Sequence, residues 1–346
     1  MNKKAQLQFA HRCAVLLESG ISLTETLEII IRMEKSKKRL QILSAIKIQV
    51  EKGISLSRSL VIAKAKFDPM LASMISYGES SGILALSLRQ ASEMMEKGGD
   101  IKKKIIGALI YPGFIAAATL GMTLFLVMYI FPKIIPLFST MNIELPFLTR
   151  AVRKLYEVIL HFGLIGGLCA LVSLGIFFYF YKKNKIFRNR VQFTVLKFPV
   201  LGTMLQKYSI CTSCRSAATL LDCGQSLPKI LEQIETSSAL NPYKSAWNFS
   251  GKKVERGSPL SESLRSFPAI FPTIVPDMLG IGERTGSLAL MFQHISKLYE
   301  QELEDFIKHL STSLEPILMI FMGLVVGSVA LSIILPIYEI TNHLSK

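Results

Sequence analysis

Few residues in this 346-residue chain stand at a spacing that could do chemistry. Cys211 and Cys214 have the spacing of half a four-ligand zinc site, but no second pair follows and the segment reads as helix. Buried small residues are expected there. Gly280-Ile281-Gly282 with Gly286 approaches a dinucleotide-binding fingerprint, yet the third glycine is one residue late and no strand precedes it, so a helix stop is expected instead. His11, His161, His294, His309 and His343 are scattered, with no i, i+4 pair of the kind that holds a catalytic zinc. No Gly-x-x-x-x-Gly-Lys-Ser/Thr phosphate loop occurs, so the chain is not expected to supply ATP energy itself. The longest apolar stretches contain no aspartate, which argues against an intramembrane aspartyl peptidase, and Gly98-Gly99-Asp100 is expected to be a turn. The expectation is a non-enzyme with no cofactor and no metal.

Two short stretches remain. Gly78-Glu79-Ser80-Ser81-Gly82 and Gly282-Glu283-Arg284-Thr285-Gly286 are written alike and lie 204 positions apart. Glycine takes the left-handed conformation that ends a helix, and a carboxylate accepts from free N–H groups or pairs with a base. Gly82 and Gly286 are therefore expected to terminate helices, with Glu79 and Glu283 bonding a neighbouring helix start. A sharper alternative has both glutamates pairing with basic residues of a partner or of the other half of the chain.

The offset of 204 is not confined to this motif. It also matches Leu17 with Leu221, Gly20 with Gly224, Val50-Glu51-Lys52-Gly53 with Val254-Glu255-Arg256-Gly257, Phe67 with Phe271, Pro112 with Pro316 and Pro132 with Pro336. One ungapped register over so long a stretch is a duplicated domain, since solenoid units run to roughly 20 to 50 residues.

The elements that carry the motifs read as helical throughout. Ser19-Gly20 ends a first helix, and Ser22 with Glu25 makes a capping box for the next. In the second copy Gly224 stops, Ser226 caps and Pro228 lies in the first turn. Gly53 with Ser55, and Gly257 with Ser258-Pro259, repeat the device. After each glycine-glutamate motif, Leu84, Leu88, Ala91 and Met95, and then Leu288, Phe292, Ile295 and Tyr299, mark one face of a helix that runs on towards an apolar stretch.

Half of the residues are hydrophobic, and the mean hydropathy of +0.40 is high for a soluble protein. Ile105–Pro132, Val158–Tyr181 and Pro316–Tyr338 contain no Asp, Glu, Lys or Arg, and each could cross a hydrocarbon core of roughly 30 Å. Neither a cleaved signal peptide nor an N-terminal anchor is expected in the polar first hundred residues. Lys and Arg against Asp and Glu number 18 and 10 over 1–104, and 17 and 11 over 182–309, so the basic excess of a chain with net charge +15 falls on segments sharing one side of the membrane. The positive-inside rule makes that side the cytoplasm. Because these bases are dispersed among acids with no aromatic-basic groove, no nucleic-acid partner is expected. Glu315, the acid directly before the third span, can sit at the cytoplasmic interface, while Pro112, Pro132, Pro316 and Pro336 mark kinks or ends. Gly163 with Gly167, and Gly323 with Gly327, are small-xxx-small pairs that let helices approach closely in the membrane.

The expected architecture is an all-α membrane protein with two duplicated cytoplasmic six-helix bundles and three transmembrane helices. Bundle 1 spans 1–104, transmembrane helix 1 105–132, a periplasmic loop 133–157, transmembrane helix 2 158–181 and an amphipathic cytoplasmic connector 182–208. Bundle 2 spans 209–309, transmembrane helix 3 310–338 and a periplasmic tail 339–346. The unpaired middle span is the return crossing that a second copy in the same orientation requires.

The chain resembles the inner-membrane platform proteins of type IV pilus biogenesis and type II secretion (the type II secretion system F family) over nearly its whole length. The resemblance rests on Phe198-Pro199-Val200-Leu201-Gly202, Leu220-Leu221-Asp222-Cys223-Gly224-Gln225-Ser226-Leu227, Gly282-Glu283-Arg284-Thr285-Gly286-Ser287-Leu288, Glu315-Pro316-Ile317-Leu318, Gly323-Leu324-Val325-Val326-Gly327 and Leu335-Pro336-Ile337-Tyr338. The first copy departs where Tyr111 stands before Pro112, at the position of Glu315. The resemblance implies a multi-pass protein of the bacterial inner membrane, N-terminus cytoplasmic and C-terminus periplasmic. It further implies a non-enzymatic role coupling a hexameric assembly ATPase to extraction and polymerisation of pilin or pseudopilin subunits, as a homo-oligomer beside other inner-membrane assembly proteins. A bundle that begins almost at Met1 is reminiscent of the shorter type IVb pilus members. The alternatives are the equivalent type II secretion platform, or a small repeat-built transporter, for which the three spans are few and apolar.

Overall fold

The computed structural model describes residues 1–63, 67–130, 132, 150, 154, 168–169 and 171–344, and among them there is no strand. The first copy contains α1 (Lys3–Glu18), α2 (Leu23–Met33), α3 (Lys37–Glu51), α4 (Leu56–Ile62), α5 (Pro69–Ser80) and α6 (Leu84–Phe125), which continues as one π-helical stretch, Leu126–Ile130. A helix over 171–183, α7, and α8 (Lys185–Lys197) lead to the second copy. That copy contains α9 (Pro199–Asp222), α10 (Leu227–Ser237), α11 (Asn241–Glu255), α12 (Leu260–Arg265), α13 (Ile274–Thr285) and α14 (Leu288–Leu344). The starts of α10, α11, α12 and α14 lie 204 residues after those of α2, α3, α4 and α6, so the duplicated sequence folds into duplicated helices.

The chain forms two compact units. One is Met1–Lys103 with Asn189–Glu304, and the other Lys104–Arg188 with Asp305–Lys346. In the first unit, helix starts and stops follow local chemistry. Asn2 Oδ1 accepts from Ala5 N at 2.9 Å, Ser22 Oγ from Glu25 N at 3.3 Å, and Asp68 Oδ1 from Met70 N at 3.1 Å. The stops fall at Gly20, Gly53 and Gly82 and again at Gly224, Gly257 and Gly286, all at positive φ. Ser226 stands at the N-cap of α10, yet its side chain makes no cap bond. Pro228 removes the N–H of the second helical residue, while that of Lys229, the counterpart of the Glu25 N–H that Ser22 accepts, stays without this partner.

The apolar faces close on two small cores. Phe9, Cys13, Leu27, Ile46, Leu71 and Met74 are buried in the first copy, where Phe9 meets Phe67 edge-on at 5.6 Å. The second copy is more aromatic. Tyr243 and Trp247 pack on Phe271 with ring centroids 5.6 and 5.1 Å away.

In the second unit, α6 and α14 each contain an apolar stretch long enough to cross a membrane, with 6% and 0% of that stretch buried. The third expected stretch, 158–181, lies largely outside the described residues, as do Gly163, Gly167 and the 133–157 loop apart from Arg150 and Lys154.

Two further local expectations are corrected. Gly98 and Gly99 lie inside α6 rather than in a turn; their backbone N–H groups still donate, and a glycine in a helix costs only about 1 kcal/mol. Pro336 does not end its helix, for α14 continues to Leu344. Around the expected connector, α9 runs unbroken from Pro199 to Asp222, and the helix break falls at Phe198, before the proline.

Candidate functional site

The glycine-glutamate motif closes α5 and its twin α13, and each of its three fixed residues does one thing. Its first glycine is a crossing point. A Cβ on Gly78 would lie 2.8 Å from Ser87 Cβ and 2.9 Å from Leu84 Cα, and one on Gly282 2.7 Å from Met291 Cγ and 3.2 Å from Leu288 Cα. Only hydrogen leaves room for the first turn of the following long helix. The last glycine, Gly82 or Gly286, turns the chain at φ 72° or 69° into that helix, a conformation costly for any residue with a Cβ.

The glutamate reaches sideways to an earlier helix of its own copy. Glu79 Oε1 accepts from Leu56 N, and Glu79 Oε2 from Ser57 N at 2.9 Å, the first two free N–H groups of α4. Glu283 does the same for α12, accepting from Leu260 N at 2.5 Å, Ser261 N at 3.3 Å and Ser261 Oγ at 2.5 Å. A carboxylate at a helix N-terminus meets both free donors and the positive end of the dipole. The motif therefore fastens α5 to α4 while launching α6, and in the second copy fastens α13 to α12 while launching α14.

The two caps are not equal. In the first copy Ser55 Oγ also accepts from Arg58 N at 3.4 Å, whereas the corresponding N-cap in the second copy is Pro259, which has no acceptor side chain. Glu283→Ala is expected to destabilise the chain by about 2 kcal/mol and Glu79→Ala by about half that, because only the first leaves its helix without any side-chain cap. Thermal unfolding of the purified full chain measures both, and equal losses would contradict the assignment.

The remaining candidates carry no chemistry of their own. Cys211 and Cys214 are buried in α9, where burial pushes both thiols upward and keeps them protonated. Among the described residues no group of histidine, cysteine and acid side chains is placed to hold a metal. Pro112 and Gly323 lie on α6 and α14 in the second unit, with Glu315, Pro316, Gly327 and Pro336 also on α14.

Sequence reasoning missed several contacts. Arg215 on α9 pairs with Glu300 on α14 at 2.6 Å and is only 11% exposed. Gln233 Nε2 donates to Gln225 Oε1 at 2.9 Å inside the second copy. The role of Gly78 and Gly282 was missed too, although both are the first letters of the repeated motif.

Sequence comparison gives this duplication a family. The pattern of the family described as Type II secretion system (T2SS), protein F matches residues 9–132 and, again, 213–336. The chain is similar to the Type IV pilus assembly protein PilC of Thermus thermophilus, with 28% identity over 97% of this chain and 82% of that protein. It is similar to the protein of the same name from Pseudomonas aeruginosa, with 28% identity over 96% of this chain and 89% of that one. It is also similar to the Type II secretion system protein F of Xanthomonas campestris, with 26% identity over 98% of this chain and 83% of that protein.

Proposed function

This chain belongs to the type II secretion system (T2SS) protein F family, and from that membership we propose that it is the inner-membrane platform of a type IV pilus assembly machine, of the type IVb kind. The observation that carries the reading is full-length similarity to proteins named for pilus assembly, with the family pattern falling on both copies. The chain is a non-enzymatic membrane component. In this reading it couples the motion of a hexameric cytoplasmic ATPase to extraction and polymerisation of pilin subunits, working as a homo-oligomer beside other inner-membrane proteins. Both copies face the cytoplasm, spans at 105–132, 158–181 and 310–338 cross the membrane, and the C-terminus is periplasmic. Gly163, Gly167, Gly323 and Gly327 serve close approach of the spans, while Pro112, Pro316 and Pro336, with Glu315 at the interface, shape them. Because α6 and α14 each begin at a glycine-glutamate motif and contain an apolar stretch, Glu79, Gly82, Glu283 and Gly286 stand where a partner's push on a bundle would be received.

A second reading, the platform of a type II secretion system, is favoured by the similarity to secretion proteins named F at almost the same coverage. Deleting the gene and restoring it in trans separates the two. Loss of surface fibres with normal secretion is the expected result; loss of secretion with normal fibres selects the second reading, and a strain normal in both overturns each.

A further inference from the structure

The two copies touch inside the first unit, and they do so with unlike faces. α5 packs against α10, a Cβ on Gly224 would lie 3.0 Å from the Tyr77 hydroxyl, Cys223 Sγ donates to Gln90 Oε1, and Ser216 Oγ donates to Met94 Sδ at 3.5 Å. The first copy thus presents its α5–α6 face and the second its α9–α10 face. The reciprocal pairing, α13 against α2, makes no comparable packing among the described residues. In a duplicated chain each face exists twice, so a contact that uses one face of each kind leaves both twins open.

Exposure at corresponding positions bears this out. Cys223, Gln225 and Gln233 are buried, whereas their first-copy counterparts Ser19, Ile21 and Ile29 are exposed or half-exposed. On the other side, Gln90 is half-buried and its counterpart His294 exposed, and the position of Tyr77 is taken by Ile281, which is 47% exposed. Each open face carries an exposed apolar side chain where its twin is at least partly covered: Val15 on one, against half-buried Thr219, and Ile281 on the other, against half-buried Tyr77.

We infer that a second copy of this chain docks its α13–α14 face on the α1–α2 face of the first, repeating between chains the contact that joins the two copies within one. A heterologous contact of this kind adds chains in one direction and closes into a ring or grows as a row. The inference deepens the self-association in the proposed function, but it stands on the internal contact and not on the assembly role.

The test uses the purified full chain with its exposed thiol removed by Cys169→Ser. Ser19→Cys and His294→Cys, the counterparts of the Cys223–Gln90 pair, are introduced together and treated with a short bis-maleimide. Covalent dimers and a ladder of larger species are expected from the double-cysteine chain, and dimers alone from a mixture of the two single-cysteine chains. Only monomer from the double-cysteine chain, or as much dimer from Ser19→Cys alone, overturns the head-to-tail contact while leaving the assembly role untouched. Adding Ile281→Glu to the double-cysteine chain is expected to cut the dimer at least about tenfold, by burying an unpaired charge in the contact. An unchanged yield also overturns it.

Discussion

Replacing Trp247 by alanine is expected to destabilise the chain by about 3–5 kcal/mol, lowering the midpoint of thermal unfolding by roughly 10 °C. Trp247 is wholly buried and is the largest side chain in the second copy's core, with its indole edge-on to Phe271. Alanine would leave a cavity walled by helices already fixed at both ends, so collapse cannot fill it. A conservative variant tests the polar side of the same residue. The indole N–H has no acceptor among the described residues, so Trp247→Phe removes an unpartnered buried donor along with part of the volume. It should lose less than half as much as alanine. Trp247 is the only tryptophan, so unfolding is best followed by labelling the buried thiols of Cys13, Cys211, Cys214 and Cys223 in a Cys169→Ser background. Equal losses for the two variants would mean that the indole N–H is bonded after all.

That core shows where sequence reading stops. The glycine stops and the caps by Ser22 and Ser55 were legible because each is local, acting over three or four residues, whereas Ser226 has the right place without the bond. The duplication was legible because an unbroken register survives divergence in side-chain type, so that Leu43 corresponds to Trp247 and Arg39 to Tyr243. The first glycine of each motif was not, since its reason is a second helix passing within 3 Å of where a Cβ would be, and that approach is tertiary. Gly98-Gly99 misled for the opposite reason. Local propensity favours a turn there, but the flanking residues on both sides hold α6 in helix. Which face of one copy meets the other lies beyond any reading of a repeat, because both copies carry the same elements.

A substitution at Gly202 should rival the loss of Trp247 although no large side chain is removed. Gly202 lies in the first turn of α9, tucked against the last turn of α8; a Cβ there would stand 2.0 Å from Leu196 O and 2.6 Å from its carbonyl carbon. The corner is built tightly. Pro199 starts α9 and cannot continue α8, Phe198 N donates to Val195 O at 3.2 Å, and Gly202 N donates to Phe198 O at 2.8 Å. The obstructing atom is main chain, so no rotamer change relieves it, and α8 would have to move. That movement has a second consequence. The N-cap of α11 is Leu240, which has no polar side chain, and the first free N–H of that helix is met from α8, where Gln192 Oε1 accepts from Asn241 N at 2.8 Å. Shifting α8 pulls this cap away, adding an unmet donor to the overpacking. Gly202→Val is therefore expected to destabilise the chain by about 3–5 kcal/mol and to abolish fibre assembly in the complemented deletion strain. Gln192→Ala, which removes the cap and leaves the corner intact, should lose about 1 kcal/mol. Gly98→Ala is the control for glycine replacement as such: a Cβ there meets nothing within 4 Å, so it should be neutral or stabilising by up to about 1 kcal/mol. If Gly202→Val melts with Gly98→Ala rather than far below it, α8 and α9 do not meet as closely as the corner requires.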